Sequence, residues 1–477
     1  MKSKLLLLWS LIIVRSALSQ SADTTIQVLE LKSYIDLVMN NHPVIKQSDL
    51  VIKSAEANLL EARGGFDPKL SSSFDLKNFK GKEYYDLFNT TLKFQTFLPL
   101  DAKIGFDRNE GAFVNPENTI PNANENRQLT AGISMPIGKG LFIDERRLAF
   151  KQAKIYQSIA DAEQVKMINK ILLTSLKDYW NWYTAYRKKE LLEQSMVIAR
   201  ELFTRVKIDF DYGELAAVDT IQAQITFQNR QAEYEKMLFE LENSRLMLSR
   251  HLWSEDQKPL ELKVFTIPQV DAVFGILPSE EGMLEIIKWA AENHPEIRKM
   301  TNKINQYEVD NKWYRESFKP QVDLSYSFID APVNGLGDTK TPAFSDNYKL
   351  GVDFSFPIFL RKEKGKLQKN KIKIQSAGYD LEQIKLAIQN SILSKYAETK
   401  MSSKLASQYQ SIASNYDRLL QAEFINLEAG ESDLFKLNLQ QDKLISSQLK
   451  YIENLVKYQK NKAEIYYEAG VPYLSIE

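Results

Sequence analysis

The chain has 477 residues, no cysteine, three histidines, and 62 basic against 62 acidic side chains. This composition excludes disulfides, thiolate metal sites and a catalytic thiol, and it gives no charge-based case for nucleic-acid binding. No phosphate-binding glycine loop, metal-spaced His/Glu cluster or nucleophile–base set is legible, so neither an enzyme nor a cofactor is expected.

The amino terminus carries a short apolar run, Lys4 to Val14, followed by the small residues Ala17 and Ser19. Residues 1–19 read as a cleaved secretory signal, because the run is too short to span a bilayer. Cleavage removes Lys2, Lys4 and Arg15 and no acid, leaving a slight acidic excess. With no later apolar run long enough to cross a membrane, any membrane residence requires a closed β-barrel.

A first repeat occupies residues 20–252. At Asn41-His42-Pro43 a short helix gives way to the next, with proline suited to the first helical position and asparagine to the cap. The histidines of this motif and its copy lack ligand partners nearby in sequence, which favours a structural role over metal binding. Strands are expected within about 66–137, at Leu70 to Leu76 and Leu129 to Met135, with a further alternating run from Phe88 to Phe94 and a turn at Pro99-Leu100-Asp101. A helical hairpin follows over about 141–252. From Leu141 to Tyr212 there is neither glycine nor proline, enough for one helix of roughly 100 Å. Val165, Ile168, Leu172, Leu176, Tyr179, Tyr183 and Tyr186 recur along it at the three-and-four spacing of a packing seam. Gly213 marks the hairpin turn, and the returning helix presents Val218, Ile221 and Ile225 on one face.

Residues 253–283 form a connecting segment, and a second repeat fills 284–477. Asn293-His294-Pro295 and Phe318-Lys319-Pro320 copy Asn41-His42-Pro43 and Phe66-Asp67-Pro68 at the same spacing of 252 positions. Strands are expected over about 318–358: Val322, Leu324, Tyr326 and Phe328 alternate with Asp323, Ser325 and Ser327, and Tyr348, Leu350, Val352, Phe354 and Phe356 with Lys349, Gly351, Asp353 and Ser355. A second hairpin, about 362–469, has its seam at Leu381, Ile384, Ile388, Ile392 and Tyr396, an interruption at Gly378 and a turn at Gly430. Two such strands cannot stand alone, and closure with strands from other subunits solves their edges. One apolar and one polar face is the pattern of an outer-membrane barrel. Between its matching landmarks the first repeat carries 31 more residues than the second, either a surface hairpin or additional strands.

Paired repeats, the Asn-x-Pro helix start, Pro68-Lys69-Leu70, the run Gly351 to Ile358 before a long helix, and glycine at both hairpin turns together resemble the TolC family of outer-membrane efflux and secretion channels. The resemblance spans nearly the whole mature chain. It implies a mostly α fold with membrane β: long coiled-coil-like hairpins forming a trimeric α-barrel in the periplasm, and two strands per half contributing to a shared twelve-stranded transmembrane barrel. A mixed equatorial region would take residues 253–283 and the carboxy-terminal end. The implied role is a passive exit duct in the outer membrane for small molecules or polypeptides. Its partners would be a periplasmic adaptor, an inner-membrane transporter and outer-membrane lipid, with no nucleic acid. A structural or adhesive coiled-coil protein of the envelope is the alternative, but it leaves the duplicated strands unexplained.

Family channels close at the hairpin tips, which makes Gly213, Asp219, Leu427, Gly430, Ser432, Asp433 and Lys436 the candidate gate residues. Only Asp219 matches the family's polar set. Ser432 stands where an arginine is usual, Leu427 where a tyrosine is, and Lys436 at an acidic position. Asp219 and Lys436 are expected to pair between neighbouring hairpins, with Leu427 and Leu434 as the apolar alternative.

Overall fold

In the computed structural model, residues 27–115, 127–330 and 348–472 are described, so the expected signal at 1–19 lies outside them. The elements run β1 (Gln27–Leu29), α1 (Leu31–Asn41), α2 (Pro43–Gly64), β2 (Lys69–Phe79), β3 (Lys82–Gln95), β4 (Asp101–Glu110), β5 (Arg127–Pro136), α3 (Glu145–Asp211) and α4 (Ala217–Ser249). They continue with β6 (Thr266–Pro268), α5 (Glu280–Asn293), α6 (Pro295–Glu316), β7 (Gln321–Asp330), β8 (Tyr348–Ser355), α7 (Arg361–Glu428) and α8 (Leu434–Glu468). Both long helices form unbroken. Gly378 does not interrupt α7, because a single glycine costs a helix only about 1 kcal/mol and its sixty-odd neighbours propagate through it. No described helix is long and apolar enough to cross a membrane.

The chain divides into two compact units. The first comprises the residues up to Gln47, Met167–Ile287 and those from Asn390 onward. Its core is built on the α3 seam: Leu172, Leu176, Tyr179 and Tyr183 are buried with Tyr34, Val38, Trp180, Trp182, Leu248 and Val456. Two of the seam tyrosines bury their rings and send their hydroxyls to backbone carbonyls, Tyr179 to Leu29 at 3.0 Å and Tyr183 to Val270 at 2.8 Å. Buried phenols must find such acceptors, and here they fasten β1 and the connecting segment to the bundle. β1 and β6 pair in parallel beside them.

The second unit comprises Ser48–Lys166 and Lys288–Gln389. It holds a six-stranded antiparallel sheet of order β2-β3-β4-β5-β7-β8. The 31-residue excess of the first repeat is therefore in the sheet, giving that repeat four strands instead of two. Register places Leu70, Leu92, Ile104, Ala131, Phe328 and Tyr348 in one row across all six strands. A parallel row runs through Phe94, Ala102, Ile133, Tyr326 and Leu350. The opposite face carries Ser73, Asn89, Asp107, Gln128, Lys349 and Asp353. On that polar face a Cβ on Gly105 would lie 2.4 Å from the Thr130 hydroxyl, and one on Gly132 2.5 Å from the Ser327 hydroxyl. Glycine at these points lets the strands curl toward the polar side, where any larger residue would collide.

Both Asn-His-Pro motifs fold alike, and the capping residue differs from the expectation. Histidine, not asparagine, caps the second helix: the imidazole Nδ1 of His42 accepts the Val44 N–H, and that of His294 accepts the Glu296 N–H, each at 3.1 Å. An acceptor at this position needs the neutral ring. Burial pushes both histidines down to about 4, assisted at His42 by the neighbouring His251 ring. The prolines occupy the first helical positions.

Candidate gate at the helical hairpin tips

The two hairpin turns share one backbone solution. Gly213 has φ 78° and Gly430 φ 76°, a left-handed conformation that glycine adopts without steric cost. The N–H of Glu214 donates to the Asp209 carbonyl at 2.9 Å, and that of Glu431 to the Asn426 carbonyl at 2.8 Å, closing both helices in the same manner.

The side chains then diverge. In the first tip Asp219 sits in the opening turn of α4 and its carboxylate accepts the Ala216 N–H at 3.1 Å. In the second, Asp433 is itself the cap of α8 and accepts the Lys436 N–H at 2.8 Å. Each acid satisfies an otherwise orphaned helix N–H and lies at the favourable end of the helix dipole. Ser432 donates its hydroxyl to Glu423, across the second turn. Lys436 is exposed, and among the described residues it makes no ion pair with Asp219 inside one chain. Leu427 and Leu434 pack within the chain, Leu434 in a buried cluster with Val206 and Ala223 against which Leu427 and Leu215 lie.

Between the tips is a cleft of about 420 Å³. Its apolar floor includes Leu202, Val206, Leu215 and Phe424, and its rim carries Asp209, Glu214, Asp219, Asp433 and one cation, Arg205. The motif comparison missed Arg205, Asp209, Glu214 and Glu423; the acids flanking each glycine were readable as a local charge density. Farther along, Arg230 of α4 is buried and binds Asp442 of α8 as well as Glu233, tying the two hairpins together. The arrangement offers hydrogen-bonding and ionic contacts at the hairpin tips; among the described residues no cluster of metal-binding type is present.

Outer faces of the same helices remain apolar and uncovered. Val218, Ile221 and Ile225 on α4, and Ile412 and Leu419 on α7, are exposed in the single chain.

Residues 286–470 match a family profile described as outer membrane efflux protein. No curated protein matches the chain. Among solved structures the fold is similar to a membrane protein from Pseudomonas aeruginosa, at 14% identity with a TM-score of 0.66 over 94% of this chain and 95% of that one. It is also similar to the Campylobacter jejuni CmeC outer membrane channel, at 14% identity and 0.64 over 92% and 85%. The open state of the Neisseria gonorrhoeae MtrE outer membrane channel matches at 15% identity and 0.65 over 92% and 88%.

Proposed function

Because residues 286–470 match the outer membrane efflux protein profile, we propose that the chain is the outer-membrane exit channel of a tripartite efflux system, working as a passive homotrimeric duct. The observation that carries this reading is the sheet. One apolar row continues across all six strands and a second across five; they are exposed on β2 and β8, with Val352 at 60% and Phe354 at 69%, and half-exposed on β3 and β7, while the reverse face is lined with hydroxyls, amides and charges. Lipid outside and water inside is the arrangement such alternation serves.

The exposed stripes of α4 and α7 are the faces that copies of the chain would bury against one another, since apolar rows of this length rarely stay wet. A periplasmic adaptor and an energised inner-membrane transporter complete the assembly in this reading, because a passive duct supplies no energy of its own. The acidic cleft between the tips, with Asp219 and Asp433 on its lining and Lys436 one turn along α8, is the gate in this reading, and the adaptor's binding would release it. Light scattering on detergent-purified protein, followed by planar-bilayer recording, tests the proposal. Three copies forming a conducting pore are expected; a stable, non-conducting monomer would overturn it.

A further inference from the structure

From the position of the 31-residue excess in the sheet, and resting on the trimeric duct proposed above, we infer that this protein closes an eighteen-stranded barrel by edge-to-edge pairing of β8 with β2 of a second copy.

The additional strands are interior. β2 follows directly from α2 and β5 leads directly into α3, yet β3 and β4 lie between them, hydrogen-bonded on both sides. A hairpin merely appended to a smaller wall would leave β2 beside β5. At 14 and 10 residues, β3 and β4 are long enough to span an outer membrane. Their side chains keep the two faces of the sheet: Leu92 opposes Ile104 on the apolar face, and Lys93 opposes Lys103 on the polar face.

The turn joining them is fastened at the helix end of the sheet. Phe97 stacks on Phe66 at 4.0 Å between ring centroids and meets Phe150 edge-on at 5.4 Å. Asp101 binds Arg146 at 3.1 Å, and Thr96 donates its hydroxyl to the Leu100 carbonyl at 2.6 Å. An external flap would not be pinned to the first turns of α3.

Closure demands partners of the same kind. Six strands are too few for a barrel, and an open edge cannot persist in lipid. Because the number is even, β8 and β2 run in opposite directions, so the antiparallel alternation continues across the junction. Both edge strands present matching apolar rows, Leu70, Phe74 and Leu76 on β2 and Leu350, Val352 and Phe354 on β8. Three copies give eighteen strands. With strands about 4.8 Å apart and tilted by about 40°, the backbone cylinder widens from about 24 Å for twelve strands to about 36 Å for eighteen.

Cryo-electron microscopy of the full-length assembly in nanodiscs counts the strands. Three copies with eighteen strands is the expected result. Three copies with a twelve-stranded wall would overturn the inference and leave the exit-duct reading standing; a different copy number or no closed wall would overturn both. A second measurement uses Leu92→Asp and Ile104→Asp beside Lys103→Asp, read as trimer recovered from membranes. The first two are expected to lose at least tenfold and the third to stay near the parent level. Full assembly of Leu92→Asp and Ile104→Asp would show that β3 and β4 do not face lipid.

Discussion

The paired histidine caps make the fold sensitive to mild acid in a calculable way. His42 and His294 titrate near 4 in the folded chain against about 6.5 when unfolded, so the unfolded state takes up protons first as pH falls. Their contribution is complete above the unfolded value and is lost as pH drops toward 4. At about pH 5 each has forfeited about 2 kcal/mol relative to about pH 7.5, and the full loss below pH 4 is about 3 kcal/mol each. Asparagine in place of both histidines keeps a cap acceptor but cannot titrate. Guanidinium unfolding of the detergent-solubilised protein, followed by far-UV circular dichroism, should therefore show the stability difference between parent and H42N/H294N shifting by about 4 kcal/mol between those two pH values. A difference that is the same at both would show that burial does not hold the two rings neutral, since carboxylates elsewhere titrate equally in the two proteins.

Val352→Asp or Phe354→Asp puts a charge on the exposed apolar row of β8 and should cost on the order of 2–4 kcal/mol near the bilayer midplane, visible as lost membrane assembly. Asp353→Ser, on the polar face, should be mild; equal damage from both would mean that β8 does not divide into a lipid face and a polar face. Gly132→Ala forces a Cβ against the Ser327 hydroxyl and the Tyr326 carbonyl, and should lower sheet stability by about 1–3 kcal/mol, read as a reduced unfolding midpoint. At the tips, Asp219→Ala removes a cap worth about 1 kcal/mol and, with Lys436→Ala, should raise single-channel conductance without loss of trimer. Unchanged conductance in both would remove this pair from the gate.

Much of the fold could be read before the structure because the repeated devices are backbone devices. Glycine at 213 and 430 and proline at 43 and 295 each have one use that their covalent geometry favours, so motif spacing located hairpin tips and helix starts. The seam at Leu172, Leu176, Tyr179 and Tyr183 was legible for a similar reason, since periodicity reports burial. The fate of the 31-residue excess was not legible: alternation at Phe88 to Phe94 describes a two-faced strand but not its neighbours, which register alone decides. The histidine caps escaped because asparagine is the commoner capping residue. Ring burial selects the acceptor form here, and burial is a tertiary property. At the tips, sequence located the turn but could not distribute Asp219 and Asp433 between capping and pairing, because both uses demand the same residue at nearly the same place.

Six strands meet only four helices in each chain. α2 and α6 lead into the sheet, α3 and α7 lead out, and the turn from Thr96 to Leu100 ends on the helices without continuing into one. A trimer would thus set a wall of eighteen strands on twelve helical staves. In such a duct the polar face of β3 and β4 would line the exit, so charge changes there should alter ion preference, read as a shifted reversal potential.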